Sequence, residues 1–197
     1  MNSKPSRNAF SGYTYQQHIT FMLLAKMDAK REIEYIEIES IVNHKFDDVK
    51  IGINGSLIYC QIKDYEDLSF ERIQIKKHYV VIGGKRHKLS KNINILFFKN
   101  INIECNDCIL GIPAYKEKNL YIVSLSRIEA DGIIDELYIN NKIRKSIINK
   151  FYCKYLDKRS FIIYCKDLPI IDIYSVQLLE ETINVGRKHI EFEDILL

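Results

Sequence analysis

Apolar and polar residues alternate with different spacings along the first third of the chain, and each spacing predicts a different element. From Tyr13 to Met27 apolar residues recur at helical intervals, which predicts an amphipathic helix. From Tyr35 to Glu39 strict alternation predicts a strand with one buried face. A longer alternating stretch from Phe46 to Lys63 is interrupted by Asn54-Gly55, the strongest short-range signal for a β-hairpin.

The turn chemistry predicts the register of this hairpin. A type I′ turn needs two residues that tolerate positive φ, and with Asn54 and Gly55 in those positions Asp48 lies opposite Gln61. Because side chains alternate between faces, Lys63 then shares the face of Asp48 and Gln61. A carboxylate, an amide oxygen and an ammonium on one patch suit a magnesium-dependent phosphodiesterase. The solvated face of an ordinary antiparallel sheet gives the same alternation, and a one-residue slip would reverse every side chain.

The remaining elements are expected to be shorter. The predicted elements are a helix at 70–77, strands at 79–82, 94–98, 120–125 and 161–165, and helices at 129–150 and 173–185. Residues 1–11 are expected to be loose, and the KRHK segment (85–88) is expected to form a turn between strands. A helix, a block of strands and then mixed elements indicate an α/β or α+β fold in a single domain of residues 1–197.

Positive charge changes this picture in one segment. The net charge of the chain is only +3, but no acidic residue occurs between Arg72 and Lys91. The candidate contacts of this segment to a DNA backbone are Lys76, Lys77, Lys85, Arg86 and Lys88. A solvated charged face would have the same composition. His87 is expected either to contact a phosphate or to take no part.

Several classes of protein are disfavoured by what the sequence lacks. No segment resembles a signal peptide or reaches the roughly 20 apolar residues that span a bilayer, so we expect a soluble, cytoplasmic protein that does not contact a membrane. Five cysteines at irregular spacing indicate reduced, buried thiols rather than a disulfide framework. Cys105 and Cys108 form one CxxC pair without a second pair at zinc-finger spacing, which disfavours a zinc site.

Four short motifs in order carry a resemblance to a known superfamily. They are SGYTYQ (11–16), IEIE (36–39), FDDVKI (46–51) and QIK (61–63). This series resembles the restriction-endonuclease-like PD-(D/E)xK superfamily, and more narrowly the double-stranded DNA endonuclease domain of bacterial anti-phage effectors of the CBASS and Lamassu type. The resemblance implies a restriction-endonuclease-like core with a mixed central β-sheet flanked by helices. The catalytic core would then lie near residues 10–100, and residues 131–197 would form an interface or an appendage.

The same resemblance implies a set of magnesium ligands. Asp48 would be the central ligand, with Asp47 as the alternative. Glu39 would assist through the metal or a water, with Glu37 as the alternative on the same strand. Gln61 would stand where the commoner form of the motif has a second carboxylate, and an amide oxygen can still ligate a hard cation.

Three further roles follow from the resemblance. Lys63 would position the attacking water or neutralise charge on the pentavalent phosphate. Gln16 and Tyr15 would brace the site from the first helix. The implied cofactor is Mg²⁺, for which Mn²⁺ can substitute.

The implied function is that of a metal-dependent endonuclease of double-stranded DNA in bacterial anti-phage defence. Sequence preference would be low, and activation would come from a partner protein (a sensor or an ATPase) or from assembly of a homo-oligomer. Two alternatives stay open. One is a nuclease-like subunit that has lost catalysis and serves DNA binding or assembly, and the other is a nuclease directed at RNA.

Overall fold

The computed structural model describes residues 4–65 and 69–170, a part of the chain that contains three helices and eleven strands. The helices are α1 Lys4–Lys30, α2 Arg127–Leu137 and α3 Lys142–Cys153. The strands are β1 Ile33–Ile38, β2 Val49–Ile53, β3 Ser56–Lys63, β4 Gln74–Ile75, β5 Tyr79–Ile82, β6 Lys85–Lys88, β7 Ile93–Phe98, β8 Asp107–Ile109, β9 Ile112–Glu117, β10 Leu120–Ser124 and β11 Phe161–Tyr164. Within the described residues, no helix has both the length and the apolar composition needed to cross a membrane.

Eight of the strands form one mixed sheet in the order β11-β1-β2-β3-β7-β10-β9-β8. Strands β3, β7 and β10 run parallel to one another, and the other neighbouring pairs are antiparallel. A parallel connection needs a crossover, and the chain between β3 and β7 supplies it with a second small sheet. The fold is therefore α/β, with a large mixed central sheet, as the sequence predicts.

The helices cover one face of this sheet. The apolar residues that the helical spacing selects in α1 are all buried: Tyr15, Ile19, Met22, Leu23 and Met27. They pack in one cluster with the inward side chains of β1, β2, β3 and β7, and with residues of α2 and α3. Each such large side chain stabilises the fold by roughly 1.5–3 kcal/mol when it is fully buried. The helix is therefore fixed against the strands that carry the candidate site.

The second face is covered by a three-stranded antiparallel sheet, β4-β5-β6. A second apolar cluster fills the space between the two sheets, and its members include Phe46, Val80, Ile82, Leu96 and Phe98. Gln61 faces the same side and is buried, with only 3% of its surface exposed. The polar end of β3 therefore lies at the junction of the large sheet and the small one.

The predicted hairpin is confirmed in both turn and register. Asn54 and Gly55 have φ values of 48° and 72°, as a type I′ turn requires, and Ile53 pairs with Ser56. The hairpin also has one position where only glycine fits, because a Cβ atom at Gly52 would lie 2.2 Å from the ring of Tyr35 on the neighbouring strand. Strands β1 and β2 therefore pack closely where they lead to the site.

The N-terminal prediction is wrong for residues 4–11, which belong to α1. The helix begins at Lys4, and Pro5 lies in its first turn, where the missing N–H of proline has no helical partner to lose. Residues 1–11 have no apolar periodicity, and an amphipathic helix is recognised in a sequence by that periodicity.

The KRHK prediction is also wrong, since these residues form strand β6 rather than a turn. The turn lies just before them at Gly83 and Gly84, whose φ values of 55° and 78° suit a two-residue hairpin connection. The helix predicted at 70–77 is limited to a single 3₁₀ turn at Phe70–Arg72, after which Gln74 pairs with Val81.

Two strands and a helix break are absent from the sequence prediction. Strands β8 and β9 are short, and Pro113 within β9 argues against a strand. The predicted helix at 129–150 is two helices, with Ser126 and Glu129 forming a capping box at the start of α2 and Asn141 capping α3.

The strand predicted at 161–165 is confirmed as β11, which pairs with β1. The helix predicted at 173–185 lies outside the described residues.

The cysteines differ in part from the expectation. All five are free, but only Cys60 is buried, whereas Cys105, Cys108 and Cys153 are exposed. The two thiols of the CxxC pair lie at the exposed β8 edge of the large sheet.

Candidate functional site

The β2–β3 hairpin joins Asp48 to Gln61, as its register predicts. Asp48 lies one residue before β2, and its Oδ2 atom accepts a hydrogen bond from Gln61 Nε2. The same oxygen accepts a second bond, of 2.6 Å, from the backbone N–H of Ile62. The carboxylate is thus held against β3 by one side chain and one main-chain group.

Burial makes the charged form of Asp48 costly. Burial raises the pKa of this carboxyl group from 3.8 to about 6. Three contacts act in the opposite direction and lower the pKa: the hydrogen bond from the Ile62 backbone, the positive charge of Lys63 and the hydrogen bond from Gln61. The negative charge of Glu39 raises the pKa further. A carboxylate in this setting gains stability from any cation that binds beside it, and such groups cluster at functional sites.

Lys63 places a positive charge at the end of β3. Its side chain is half-buried, and it forms no ion pair with any residue in the described part of the chain. Its charge acts on both Asp48 and His87. The ammonium group is therefore available to a water molecule or to an anionic oxygen.

Glu39 reaches the site from the end of β1, and Gln16 reaches it from α1. Gln16 Nε2 donates a hydrogen bond of 3.0 Å to Glu39 Oε1, and the Glu39 backbone N–H donates one of 3.0 Å to the Asp48 carbonyl. Glu39 has a φ of 51°, which a residue other than glycine adopts at some cost. Glu37 is bound instead to Lys50 through an ion pair of 2.9 Å. The geometry favours Glu39 over Glu37 as a partner of Asp48.

Two other predicted residues lie apart from this group. The charge of Asp47 acts on His44 and His87, and Asp47 makes no bond to Gln61. Tyr15 is fully buried, and its hydroxyl donates a hydrogen bond of 2.7 Å to the Leu125 carbonyl. Tyr15 therefore ties α1 to the end of β10 and supports the site only through the position of the helix.

The predicted DNA contacts lie on the small sheet and beside it. All five candidates are exposed: Lys76, Lys77, Lys85, Arg86 and Lys88. None forms an ion pair with another described residue, and the guanidinium of Arg86 lies 5.1 Å from the centre of the Tyr79 ring. This sheet packs over the face that carries Gln61, and the charge of Lys85 acts on His87 together with the charges of Lys63 and Asp47.

A second basic region lies beside Glu39 and Gln16, and the sequence prediction does not include it. Lys158 and Arg159, both exposed, line a cavity of about 310 Å³ together with Gln16 and Glu39. They lie in the connection between α3 and β11. The adjacent basic residues Lys158 and Arg159 are visible in the sequence, but only the pairing of β11 with β1 shows that they lie near Glu39.

Asp64 anchors the end of β3 to α1. Its side chain is 6% exposed and forms an ion pair of 3.1 Å with Lys99. It also accepts a hydrogen bond of 2.5 Å from the Ser11 hydroxyl. Because Asp64 directly follows Lys63, these contacts hold the lysine's backbone relative to the helix that carries Gln16. The sequence prediction assigns no role to Asp64.

The donor set of the site suits a hard divalent cation. No group of three or more histidine, cysteine, aspartate or glutamate side chains within the described residues could hold a metal by itself. The site offers two carboxylates, Asp48 and Glu39, and the amide oxygen of Gln61, which accepts no hydrogen bond from a described residue. Mg²⁺ commonly binds one or two carboxylates and fills its octahedron with waters and phosphate oxygens. The residues fit Mg²⁺ better than zinc, which needs more protein ligands.

Comparison of the chain with known proteins gave no match, whether against models of protein families, against curated proteins or against solved structures.

Proposed function

We propose that the chain is a metal-dependent endonuclease that cleaves double-stranded DNA with little sequence preference. The observation that carries this proposal is the meeting of a carboxylate, an amide and an unpaired lysine on one face of the β2–β3 hairpin. Asp48 binds Gln61, and Lys63 lies on the same face without an ion-pair partner among the described residues. Such a group is what hydrolysis of a phosphodiester requires.

Each residue has a distinct task in this reaction. Asp48, Gln61 and Glu39 would hold Mg²⁺, which lowers the pKa of a bound water and stabilises charge on the phosphate. The ammonium group of Lys63 would lie beside them, where it would orient the attacking water and stabilise the negative charge of the transition state. Gln16 fixes the Glu39 carboxylate by its hydrogen bond of 3.0 Å.

The DNA would be held by its backbone rather than by its bases. The exposed lysines and the arginine of the β4–β6 sheet carry positive charge that no described residue compensates, and such charge binds phosphates without regard to sequence. From the resemblance of its motifs, we propose that the protein acts in the cytoplasm of bacteria against phages. A partner protein or assembly into a homo-oligomer would activate it, and Mn²⁺ could substitute for Mg²⁺ as the cofactor.

One observation favours a second candidate, a subunit that binds DNA without cleaving it. Gln61 and the backbone N–H of Ile62 both donate hydrogen bonds to the buried Asp48 carboxylate. A hydrogen-bonded amide partly satisfies the buried carboxylate, whereas the glutamate of the commoner motif would repel it. A nuclease-like subunit without catalysis could keep this arrangement for stability alone.

Replacing Lys63 with alanine separates the two candidates. For the nuclease we expect a loss of at least about a hundredfold in the rate of duplex cleavage, because a transition-state contact is removed. The dissociation constant for DNA should change by less than about threefold, since the other basic residues remain. Cleavage of a labelled duplex and its fluorescence anisotropy measure the two quantities on the same preparation.

Lys50→Ala is the matched control, because Lys50 lies in the same hairpin but is bound to Glu37. It should leave the cleavage rate within a few-fold of the wild type. A wild-type protein that binds duplex DNA but does not cleave it with Mg²⁺ or Mn²⁺, in the presence of its activating partner, would favour the binding subunit instead.

A further inference from the structure

Lys26 of α1 is a buried lysine without an acidic partner. Only 7% of its surface is exposed, and it forms no ion pair or hydrogen bond with another described residue. Lysines in folded proteins are almost never fully buried unless they are paired. Burial lowers the pKa of the Lys26 ammonium group, and the positive charge of Lys30 lowers it further, against the charges of Cys108 and Glu136.

The ammonium groups of Lys26 and Lys30 meet at the turn between β8 and β9. A Cβ atom at Gly111 would lie 3.8 Å from Lys26 Nζ and 3.9 Å from Lys30 Nζ, so the two nitrogens are less than 8 Å apart. The C-terminal end of a helix favours positive charge, which accounts for the exposed Lys30 in the last turn of α1. It does not account for Lys26, because a methionine would pack as well as the lysine stem without a charge to desolvate.

Both lysines line a cavity of about 420 Å³ whose other walls are mostly apolar. The single carboxylate among the lining residues belongs to Glu32, which is exposed and forms an ion pair with neither lysine. Cavities of this size commonly hold small organic molecules. The apolar walls are formed by Ile33, Ile53, Ile58, Ile93, Ile109 and Leu110.

We propose that this cavity binds a small organic anion, a molecule with an apolar body and a carboxylate or phosphate head. The head pairs with the ammonium groups of Lys26 and Lys30, and the body packs against the isoleucines. The cavity lies at the Asn54 end of the β2–β3 hairpin, whereas Asp48 lies at the opposite end. This ligand site is therefore separate from the candidate nuclease site and does not depend on the proposed function.

Isothermal titration calorimetry with four probes tests the two halves of this ligand. Octanoate and octyl phosphate carry both a charge and an apolar body, whereas acetate lacks the body and 1-octanol lacks the charge. We expect at least one of the first two to bind the wild type one-to-one with a dissociation constant of about 1 mM or below, the strength that roughly ten non-hydrogen atoms supply. The tighter of the two identifies the head. Acetate and 1-octanol should bind at least about tenfold more weakly.

Lys26→Met should weaken binding of the better probe by about tenfold, because it removes the buried charge and keeps the length of the side chain. Lys30→Met should weaken it by about threefold, since Lys30 is exposed and its charge is screened by water. An exposed position also leaves the core intact, so this variant is informative even if Lys26→Met does not fold. Lys154→Met is the matched control, because Lys154 is an exposed lysine at the end of α3, and it should leave the affinity unchanged.

Thermal unfolding supplies a second readout. The better probe should raise the melting temperature of the wild type, because it binds the folded protein alone. Without a probe, Lys26→Met should melt a few degrees higher than the wild type, since it removes a desolvated charge beside a second cation.

The proposal would be overturned if neither octanoate nor octyl phosphate bound in a saturable way, or if acetate or 1-octanol bound as tightly. Wild-type affinity in both Lys26→Met and Lys30→Met would also overturn it. If Lys26→Met melted lower and kept its affinity, the lysine would be structural.

Discussion

At the scale of single residues, the region of the candidate site contains groups whose folded environment is energetically unfavourable. Asp48 is a carboxylate whose pKa burial raises to about 6, Glu39 has a positive φ, and His87 is buried without a partner. Each of these features lowers the stability of the free protein. Proteins accept such costs at functional sites, where a ligand supplies the missing interaction.

Asp48→Asn should therefore stabilise the free protein at pH 8. The folded-state pKa of about 6 lies above the ordinary value of 3.8, so the folded protein binds this proton more tightly than the unfolded chain does. The stability that this proton contributes is complete below pH 3.8 and is lost as the pH rises through 6. Asparagine cannot ionise, so it should raise the free energy of unfolding by up to roughly 3 kcal/mol at pH 8.

Urea unfolding at pH 4 and at pH 8 measures this effect. The difference between Asp48→Asn and the wild type should be small at pH 4, where the carboxyl group is protonated in the folded protein and about half protonated in the unfolded chain. Asp47→Asn is the control, because Asp47 does not take part in the hydrogen bonds with Gln61 and Ile62. An Asp48→Asn variant that is less stable than the wild type at pH 8 would show that the charged carboxylate is already well stabilised.

At the scale of elements, the β2–β3 hairpin positions the chemistry. Its turn at Asn54-Gly55 sets which residues oppose one another, and a slip by one residue would turn Asp48 and Gln61 to different faces. Both turn residues have positive φ. The turn therefore contributes to function through register as well as to stability.

Gly55→Ala should lower the free energy of unfolding by about 1–2 kcal/mol. Nothing lies within 4 Å of the position of the added Cβ, so the cost comes from the φ of 72° that alanine must adopt. Gly132→Ala is the matched control, because Gly132 lies inside α2 with equally open space and without positive φ. It should stabilise the protein by about 0.5–1 kcal/mol. Equal effects of the two substitutions in urea unfolding would contradict the backbone argument.

Elements with strong local signals could be predicted from the sequence, and those without them could not. The buried stripe of α1 and the Asn54-Gly55 turn are local, so they were found. Strand β6 was missed because its residues, KRHK, are charged and three of the four are exposed. Strand β9 was missed because it contains Pro113, and the start of α1 because it has no apolar periodicity.

At the scale of the whole molecule, the site draws on parts of the chain that are far apart in sequence. Asp48, Gln61 and Lys63 come from one hairpin, so their convergence could be predicted. The hydrogen bond from Gln16 to Glu39, the position of His87 and that of Arg159 depend on how α1, β6 and β11 meet the large sheet. These tertiary relations have no local signal in the sequence.

Two basic surfaces lie near the candidate site. Lys85 of the β4–β6 sheet acts on His87 together with Lys63, and Lys158 and Arg159 line a cavity with Glu39. Neither basic surface would read base sequence, which agrees with a nuclease of low specificity.

Cleavage of supercoiled plasmid at high protein concentration with Mg²⁺ or Mn²⁺ tests the proposed nuclease and its site together. We expect metal-dependent nicking or linearisation, which Asp48→Ala and Lys63→Ala abolish and Lys50→Ala retains. Since activation by a partner is expected, the chain alone should cleave weakly. Cleavage that persists in both site variants, or in EDTA, would contradict the proposed site.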